Sequence, residues 1–330
     1  VSTLPSIAEL RSSARVVSIP MRVKFRGILH REALLVHGPA GWGEFSPFPE
    51  YDDTEAAPWL RAAIEAGWEG FPPARRTWVA VNATVPAIPA ADVEPILARF
   101  GPVTAVKVKV AERGQTLADD LARIAEVRRI LPDAGLRVDA NGGWTVPEAV
   151  TALTALAGHT LEYAEQPVMA IDGLREVRLE LRRRGIPVLI AADESVRKET
   201  DPLRVAREDA ADLLVIKVAP LGGVRRALDI VAQAGLPVVV SSALDTSVGI
   251  SAGVALAAAL PELPYACGLG TVSLMRGDVT ASPLVPDGGW LPVGPVQVSG
   301  ELLERHAADP YRTAWWLARL ERVGAILGCP

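Results

Sequence analysis

Cysteine and histidine are scarce: the 330-residue chain holds Cys267 and Cys329 and four histidines. Two thiols are too few for a disulfide framework or a structural zinc site. They read as free thiols of a reducing compartment. The opening stretch, VSTLPSIAEL, lacks the basic region and apolar run of a secretory signal, so a cytoplasmic location is expected. No basic stripe is present. The formal net charge is −5 and the run RRRG at 182–185 is a short, solvated helix end, so nucleic acid is not an expected partner. The most apolar stretch, ISAGVALAAAL at 250–260, is stopped by Pro261, far short of the ~20 residues of a membrane span. No membrane partner is expected. Neither G-x-G-x-x-G nor a Walker motif occurs.

Hydrophobic residues make up 49% of the chain, enough for a sizeable core. From about residue 77, short β-branched runs alternate with Ala/Leu/Arg stretches of helical spacing. The runs are WVAVNATV (78–85), AVKVKV (105–110), LRVDAN (136–141), LEYAEQ (161–166), PVLIAADES (187–195), LLVIKV (213–218), PVVVSSA (237–243) and YACGLG (265–270). Helices are predicted between them, over 116–131, 146–158 and 222–235 among others. Eight strands alternating with helices predict a parallel α/β barrel rather than a doubly wound open sheet. The first 75 residues have a different texture, an antiparallel meander with Gly/Pro turns followed by a helix over 53–68. The expected organisation is an α+β capping domain (1–75), a barrel (76–290) and a helical C-terminal segment (291–330) packing back toward the cap.

In a parallel barrel, catalytic groups stand at the C-terminal ends of strands. There the sequence places Lys107 and Lys109, then Asp139 with Asn141, Glu165, Asp193 with Glu194, and Lys217, on five consecutive strands. Singly, each has a bland reading: an edge-strand guard for the lysines, a turn former for Asp139, a helix cap for Asp193. Lys217, inside LLVIKVAP, resists such a reading because a parallel strand is covered on both faces. None of the four histidines falls at a strand end. Neighbouring strands lie ~4.8 Å apart, so Asp139, Glu165 and Asp193 form an oxygen-only cluster suited to Mg²⁺ or Mn²⁺. Period two sends Lys107 and Lys109 to one face. Burial, a neighbouring amine and a cation all lower a lysine pKa from ~10.4, which makes one of the pair a candidate base and the other its depressor. The matching chemistry is removal of a proton α to a carboxylate of a small-molecule substrate, with a divalent ion stabilising the ene-diolate.

The K-x-K at 107–109, Asp139 in DAN, Glu165 in EQP, Asp193 in DES and Lys217 in IKV together resemble the enolase superfamily, in its muconate-lactonizing-enzyme subgroup. The resemblance implies a (β/α)₇β barrel under an N-terminal α+β cap. It also implies Asp139, Glu165 and Asp193 as Mg²⁺ ligands, Lys109 as general acid/base and Lys217 facing it across the substrate. The stretch FRGILHREALLVHGPAGWGEFSPFPEYDDTEAAPWL is similar to the o-succinylbenzoate synthase family of menaquinone biosynthesis. That family's reaction is a dehydration, in which Lys109 would take the α-proton and return it to the leaving hydroxyl while Lys217 stays cationic. By position, Phe25, Gly27, Phe45 and Ser46 are expected substrate contacts from the cap, and Ser241, Ser242, Gly268 and Gly270 from the last strands. An N-succinylamino-acid racemase or dipeptide epimerase would use the same lysine pair, and a non-catalytic enolase-like binding protein is the alternative outside enzymes. The sequence leaves the oligomeric state open.

Overall fold

A computed structural model describes the backbone of residues 4–25, 27–197 and 201–330, and their side chains apart from residues 23–25. The chain opens with α1 (Ile7–Ser13), held by a capping box between Ser6 and Glu9. An antiparallel sheet follows, of β1 (Arg15–Phe25), β2 (Ile28–Gly38) and β3 (Gly41–Phe45) in that order. Helix α2 (Asp53–Ile64) starts where Asp52 accepts the Glu55 N–H at 2.7 Å, and it packs on β3. The contact is backbone to backbone: a Cβ on Gly43 would stand 2.0 Å from the Ala63 carbonyl oxygen. Gly43→Ala must therefore push α2 away. An overpacking loss of about 1–3 kcal/mol, read as a lower urea midpoint at unchanged slope, is expected.

The predicted strand at 78–85 is two strands. β4 (Trp78–Ala80) pairs antiparallel with a late strand, while β5 (Ala83–Val85) enters the barrel. The break is at Asn82, whose side chain donates to the Ala83 carbonyl and accepts from Arg137 at 3.1 Å. The barrel then runs α3 (Val93–Leu97), β6 (Ala105–Lys109), α4 (Leu117–Ile130), β7 (Gly135–Asp139), α5 (Val146–Leu156), β8 (Leu161–Glu165) and α6 (Ile171–Arg183). It continues through β9 (Leu189–Ala192), α7 (Asp201–Arg207), β10 (Leu213–Ile216), α8 (Val224–Ala234), β11 (Val238–Val240) and α9 (Ser247–Ala259). Strands β5 to β11 form one parallel sheet in sequential order. The predicted eighth strand is reduced to two parallel bridges, Val81↔Cys267 and Ser241↔Gly268, and these join the sheet's first and last strands. Strand β12 (Trp290–Pro292), the partner of β4, precedes α10 (Gly300–Arg305) and α11 (Pro310–Leu327). Helix α11 packs on α2 and α1, with Trp316 and Leu320 buried among Phe45, Trp59 and Leu60.

Alternation along the strands divides the barrel cleanly. Val106, Val108, Val138, Ala164 and Ile190 face the helices in the main core. Tyr163, Ala191, Leu213, Val215 and Val239 form a separate apolar cluster and share strand parity with Lys107, Lys109, Asp139, Glu165 and Lys217, the inward positions. The barrel interior is thus charged at the strand ends and largely apolar below, where buried Arg137 lies over the Tyr163 ring and pairs with Glu162.

Two buried glutamates of the cap fasten it over those ends. Glu65, just after α2, accepts the Val224 and Arg225 N–H groups at the start of α8. Glu44 of β3 accepts the Thr246 N–H at 3.1 Å, the Thr246 hydroxyl at 2.6 Å and the Gly249 N–H at 2.9 Å at the start of α9. A carboxylate suits a helix N-terminus, where N–H groups lack partners. Burial, with the charge of Asp245, nevertheless pushes the Glu44 carboxyl from 4.5 up to about 7. A carboxyl whose folded pKa exceeds its unfolded value binds its proton more tightly when folded. Stability is then fullest below the unfolded pKa and falls as pH rises toward the folded one. Between pH 4.5 and 7 this site costs up to about 3 kcal/mol. Urea midpoints measured from pH 4.5 to 8 should fall, and Asp245→Asn should flatten that slope.

Candidate active site

The charged ends of β6 to β10 meet in a cavity of ≈ 450 Å³ between barrel and cap. Lys109, Asp139 and Glu165 are register partners on adjacent strands. The Lys109 ammonium donates to Asp139 Oδ2 at 2.5 Å and to Asn141 Oδ1 at 2.7 Å. Lys107, one inward step deeper and 7% exposed, donates to both Glu165 oxygens at 2.9 Å and lies 3.4 Å from Asp139. On the other side, Lys217 donates to both oxygens of Asp193. Asp139, Glu165 and Asp193 are each at least 96% buried, with exposures of 1%, 1% and 4%.

The electrostatics follow from that crowding. Burial opposes ionisation of Asp139, but Lys109 and Lys107 outweigh it and hold its carboxyl far below the ordinary range. Asp193 is lowered in the same way, with Lys217 overcoming burial. Glu165 is pushed up to about 8, by burial first and by the charge of Asp139 next. Lys107, the partner of the candidate base Lys109, is itself shifted upward. Burial does act to lower its pKa, but the charges of Glu165 and Asp139 prevail and raise it. Facing carboxylates decide the sign, not the neighbouring amine.

Asn141 has a left-handed backbone (φ 46°) and bridges Lys109 to Glu194, to which its amide donates at 3.1 Å. Glu194 also accepts from Arg197 at 2.7 Å, while its Oε2 is buried without a hydrogen-bond partner. Ser241, Ser242 and Gly268 line the cavity, and the Ser242 hydroxyl is 2.7 Å from that of Thr271. Gly270 does not line it; its α-carbon faces Pro286, Asn82 and Phe100. From the cap, Phe45 is wholly buried edge-on against Trp316, and Ser46 is an interior link between Arg31 and Glu44. Neither reaches the cavity, since Phe45 packs toward α11 and Ser46 is taken up by Arg31 and Glu44. Gly27 lies in an exposed turn and is also absent from the lining. The Phe25 side chain falls outside the described residues.

The cap instead contributes Phe48, Tyr51, Pro58 and Trp59. Two polar residues also escaped sequence reasoning. Arg197 lines the cavity and reaches the Tyr51 hydroxyl of the cap at 3.3 Å. Gln166 is buried with its Oε1 accepting the Asp193 and Ser195 N–H groups, which fixes the end of β9 against that of β8. Its signal was the EQP triplet itself. A further signal was composition: of 34 basic residues only five are lysine (24, 107, 109, 198 and 217), and three of these five converge here.

Residues 90–296 match the Enolase C-terminal domain-like family and residues 16–67 the Enolase N-terminal domain-like family. The o-succinylbenzoate synthase of Mycobacterium tuberculosis is 51% identical over 328 residues, covering 99% of this chain and 98% of its own. That of Mycolicibacterium smegmatis is 52% identical over 325 residues, covering 98% and 99%. The chain belongs to the o-succinylbenzoate synthase family of the enolase superfamily. It is therefore an enzyme, of the lyase class. Among solved structures, the muconate lactonizing enzyme of Pseudomonas putida superposes with a TM-score of 0.72 at 18% identity, covering 89% of this chain and 98% of that one. The L-Ala-D/L-Glu epimerase of Bacillus subtilis gives 0.72 at 23%, covering 86% and 96%. At those identities the likeness carries the fold, and it is the barrel with an N-terminal strand-rich cap that the sequence predicted.

Members of the enolase superfamily typically act with a divalent metal. Among the described residues no three ligand side chains stand in a metal-holding arrangement, because each carboxylate is turned onto a lysine. The donor set nevertheless fits such an ion. It is all oxygen and fully buried, its middle member is raised by burial and then by the charge of Asp139, and an unpartnered carboxylate oxygen of Glu194 lies beside it.

Proposed function

We propose that this synthase-family chain dehydrates 2-succinyl-6-hydroxy-2,4-cyclohexadiene-1-carboxylate to o-succinylbenzoate, a step of menaquinone biosynthesis. The observation that carries the reading is the placement of Lys109 on β6 and Lys217 after β10, with the three carboxylate-bearing strands between them. An organic acid held over the carboxylates has one amine on each flank.

Asp139, Glu165 and Asp193 would hold Mg²⁺, with Mn²⁺ a workable substitute; Asn141 and Glu194 steady the group from its edge. Bound there, the ion supplies positive charge to the substrate carboxylate as the α-proton leaves. Lys109, as the neutral amine, takes that proton from C1, and the electron pair spreads into the carboxylate. The same Nζ, now an ammonium, returns the proton to the C6 hydroxyl, which departs as water while the ring becomes aromatic. Atoms and charge balance without an outside acid or base. Lys217 stays cationic and offsets the developing negative charge. Lys107 remains paired with Glu165 and orients it, a positioning part. Ser241 and Ser242 offer hydroxyl groups to the succinyl carboxylate, and Gly268, whose N–H is held by the Val240 carbonyl, leaves room beside them. Residues 1–75, 76–290 and 291–330 are our proposed division into cap, barrel and returning segment.

Following the cyclohexadiene's ultraviolet absorbance with purified protein and Mg²⁺ tests the reading. Rapid loss of the absorbance is expected. No loss, together with deuterium uptake into N-succinylamino acids, would move the chain to racemase chemistry.

A further inference from the structure

Away from the catalytic cavity lies a second cleft of ≈ 780 Å³, bounded by β1, the segment after the eighth-strand bridges, and α10. The chain's net charge is −5, yet Arg22, Arg99, Arg276 and Arg305 all line this cleft, against the carboxylates Asp278 and Glu301. Glu301 is occupied by Arg305 at 2.6 Å. Asp278 is turned to the interior, accepting the Ser247 hydroxyl and the N–H groups of Ser247 and Val279. Arg22, Arg99 and Arg276 are left without a facing anion among the described residues.

Two of these three are held in place. Met21 and Met275 form an antiparallel bridge. Across it Arg22 Nε donates to the Met275 carbonyl at 2.8 Å, and Arg276 Nε donates to the Met21 carbonyl at 3.3 Å. Each guanidinium is anchored by its inner nitrogen, and the Nη groups of both have no partner among the described residues. Such forks match the paired oxygens of carboxylate or phosphate. A separate observation lies in the cleft wall. Ser273 is 8% exposed, and its hydroxyl has no hydrogen-bond partner. Buried hydroxyls are nearly always paired.

We propose that this cleft is a binding site for a small dianion presenting phosphate or carboxylate oxygens, gripped by the Nη groups of Arg22 and Arg276 with Arg99 adding charge. The site stands one residue from the catalytic cavity. Within the single turn Gly270–Leu274, Thr271 lines that cavity while Val272 and Ser273 line this cleft.

Isothermal titration of the full chain at constant ionic strength tests it, with inorganic phosphate and succinate as separate probes and chloride as control. Wild type should bind at least one probe saturably, and the probe that binds tells phosphate from dicarboxylate chemistry. Arg22→Met/Arg276→Met should weaken that binding at least tenfold with an unchanged circular dichroism spectrum. Arg99→Met, which breaks no hydrogen bond among the described residues, should weaken it several-fold, and it decides alone should the double variant not fold. Heats no greater than chloride's, or affinities in the folded variants equal to wild type, would overturn the proposal.

Discussion

Lys109→Ala lowers synthase turnover by roughly 10³-fold, the range for losing one group that both takes and returns a proton. The expectation comes from position. The Lys109 ammonium stands at the last inward step of β6, 2.5 Å from Asp139 and open to the cavity. Among the described residues no other amine lies on its flank at that level, since Lys107 is deeper and paired with Glu165. The fold should survive. Lys107 stays 3.4 Å from Asp139, so the truncated site keeps a cation beside its buried carboxylate. A normal far-ultraviolet spectrum and an ordinary thermal midpoint should therefore accompany the loss of turnover. Near-normal turnover would remove Lys109 from the chemistry.

Glu165→Gln abolishes the response to Mg²⁺. Wild type in saturating Mg²⁺ should gain stability by mass action, about 2.7 kcal/mol at a hundred times the dissociation constant, seen as a raised thermal midpoint. Binding must first separate the carboxylates from their lysines, so the gain is what remains after three ion pairs are exchanged. Glutamine keeps the shape of Glu165 and can still accept from Lys107, but it brings no charge to a cation. Its midpoint should not move with Mg²⁺, and its turnover should not recover when Mg²⁺ is restored after chelation. An equal Mg²⁺ shift in both proteins would place the ion elsewhere.

The barrel was legible because two periodicities speak plainly in this chain. Apart from Arg137, odd-numbered inward positions from 107 to 217 are apolar below and charged toward the strand ends, and a parallel strand offers no exposed face on which such charges are idle. Lys217 was the clearest case. The carboxylate order was readable for the same reason, since each strand end carries one. The cap was less readable. Which of its residues reach the cavity depends on how α2 docks, and that is set by Glu44 and Glu65 gripping helices α8 and α9 some 160 to 200 residues away in the chain. Phe45 and Ser46 were chosen by their place in a motif, and they lie in the layer beneath. Phe48, Tyr51 and Trp59, a few residues later, are the ones brought to the cavity. Gly270 was lost because the eighth strand shrinks to two bridges, and the chain turns away immediately afterwards. The direction of the Lys107 shift depends on distances to Glu165 and Asp139 that no spacing rule supplies.

Three carboxylates gathering on one divalent ion, with an amine on either side, is the claim on which the proposed chemistry stands. The most direct measurement is an anomalous difference map from crystals soaked in Mn²⁺ together with o-succinylbenzoate. The account predicts one strong peak within coordination distance of Asp139, Glu165 and Asp193, with the Nζ atoms of Lys109 and Lys217 swung off the carboxylates toward opposite faces of the product. A peak outside that trio, or lysines still locked on the carboxylates with the product bound, would contradict it.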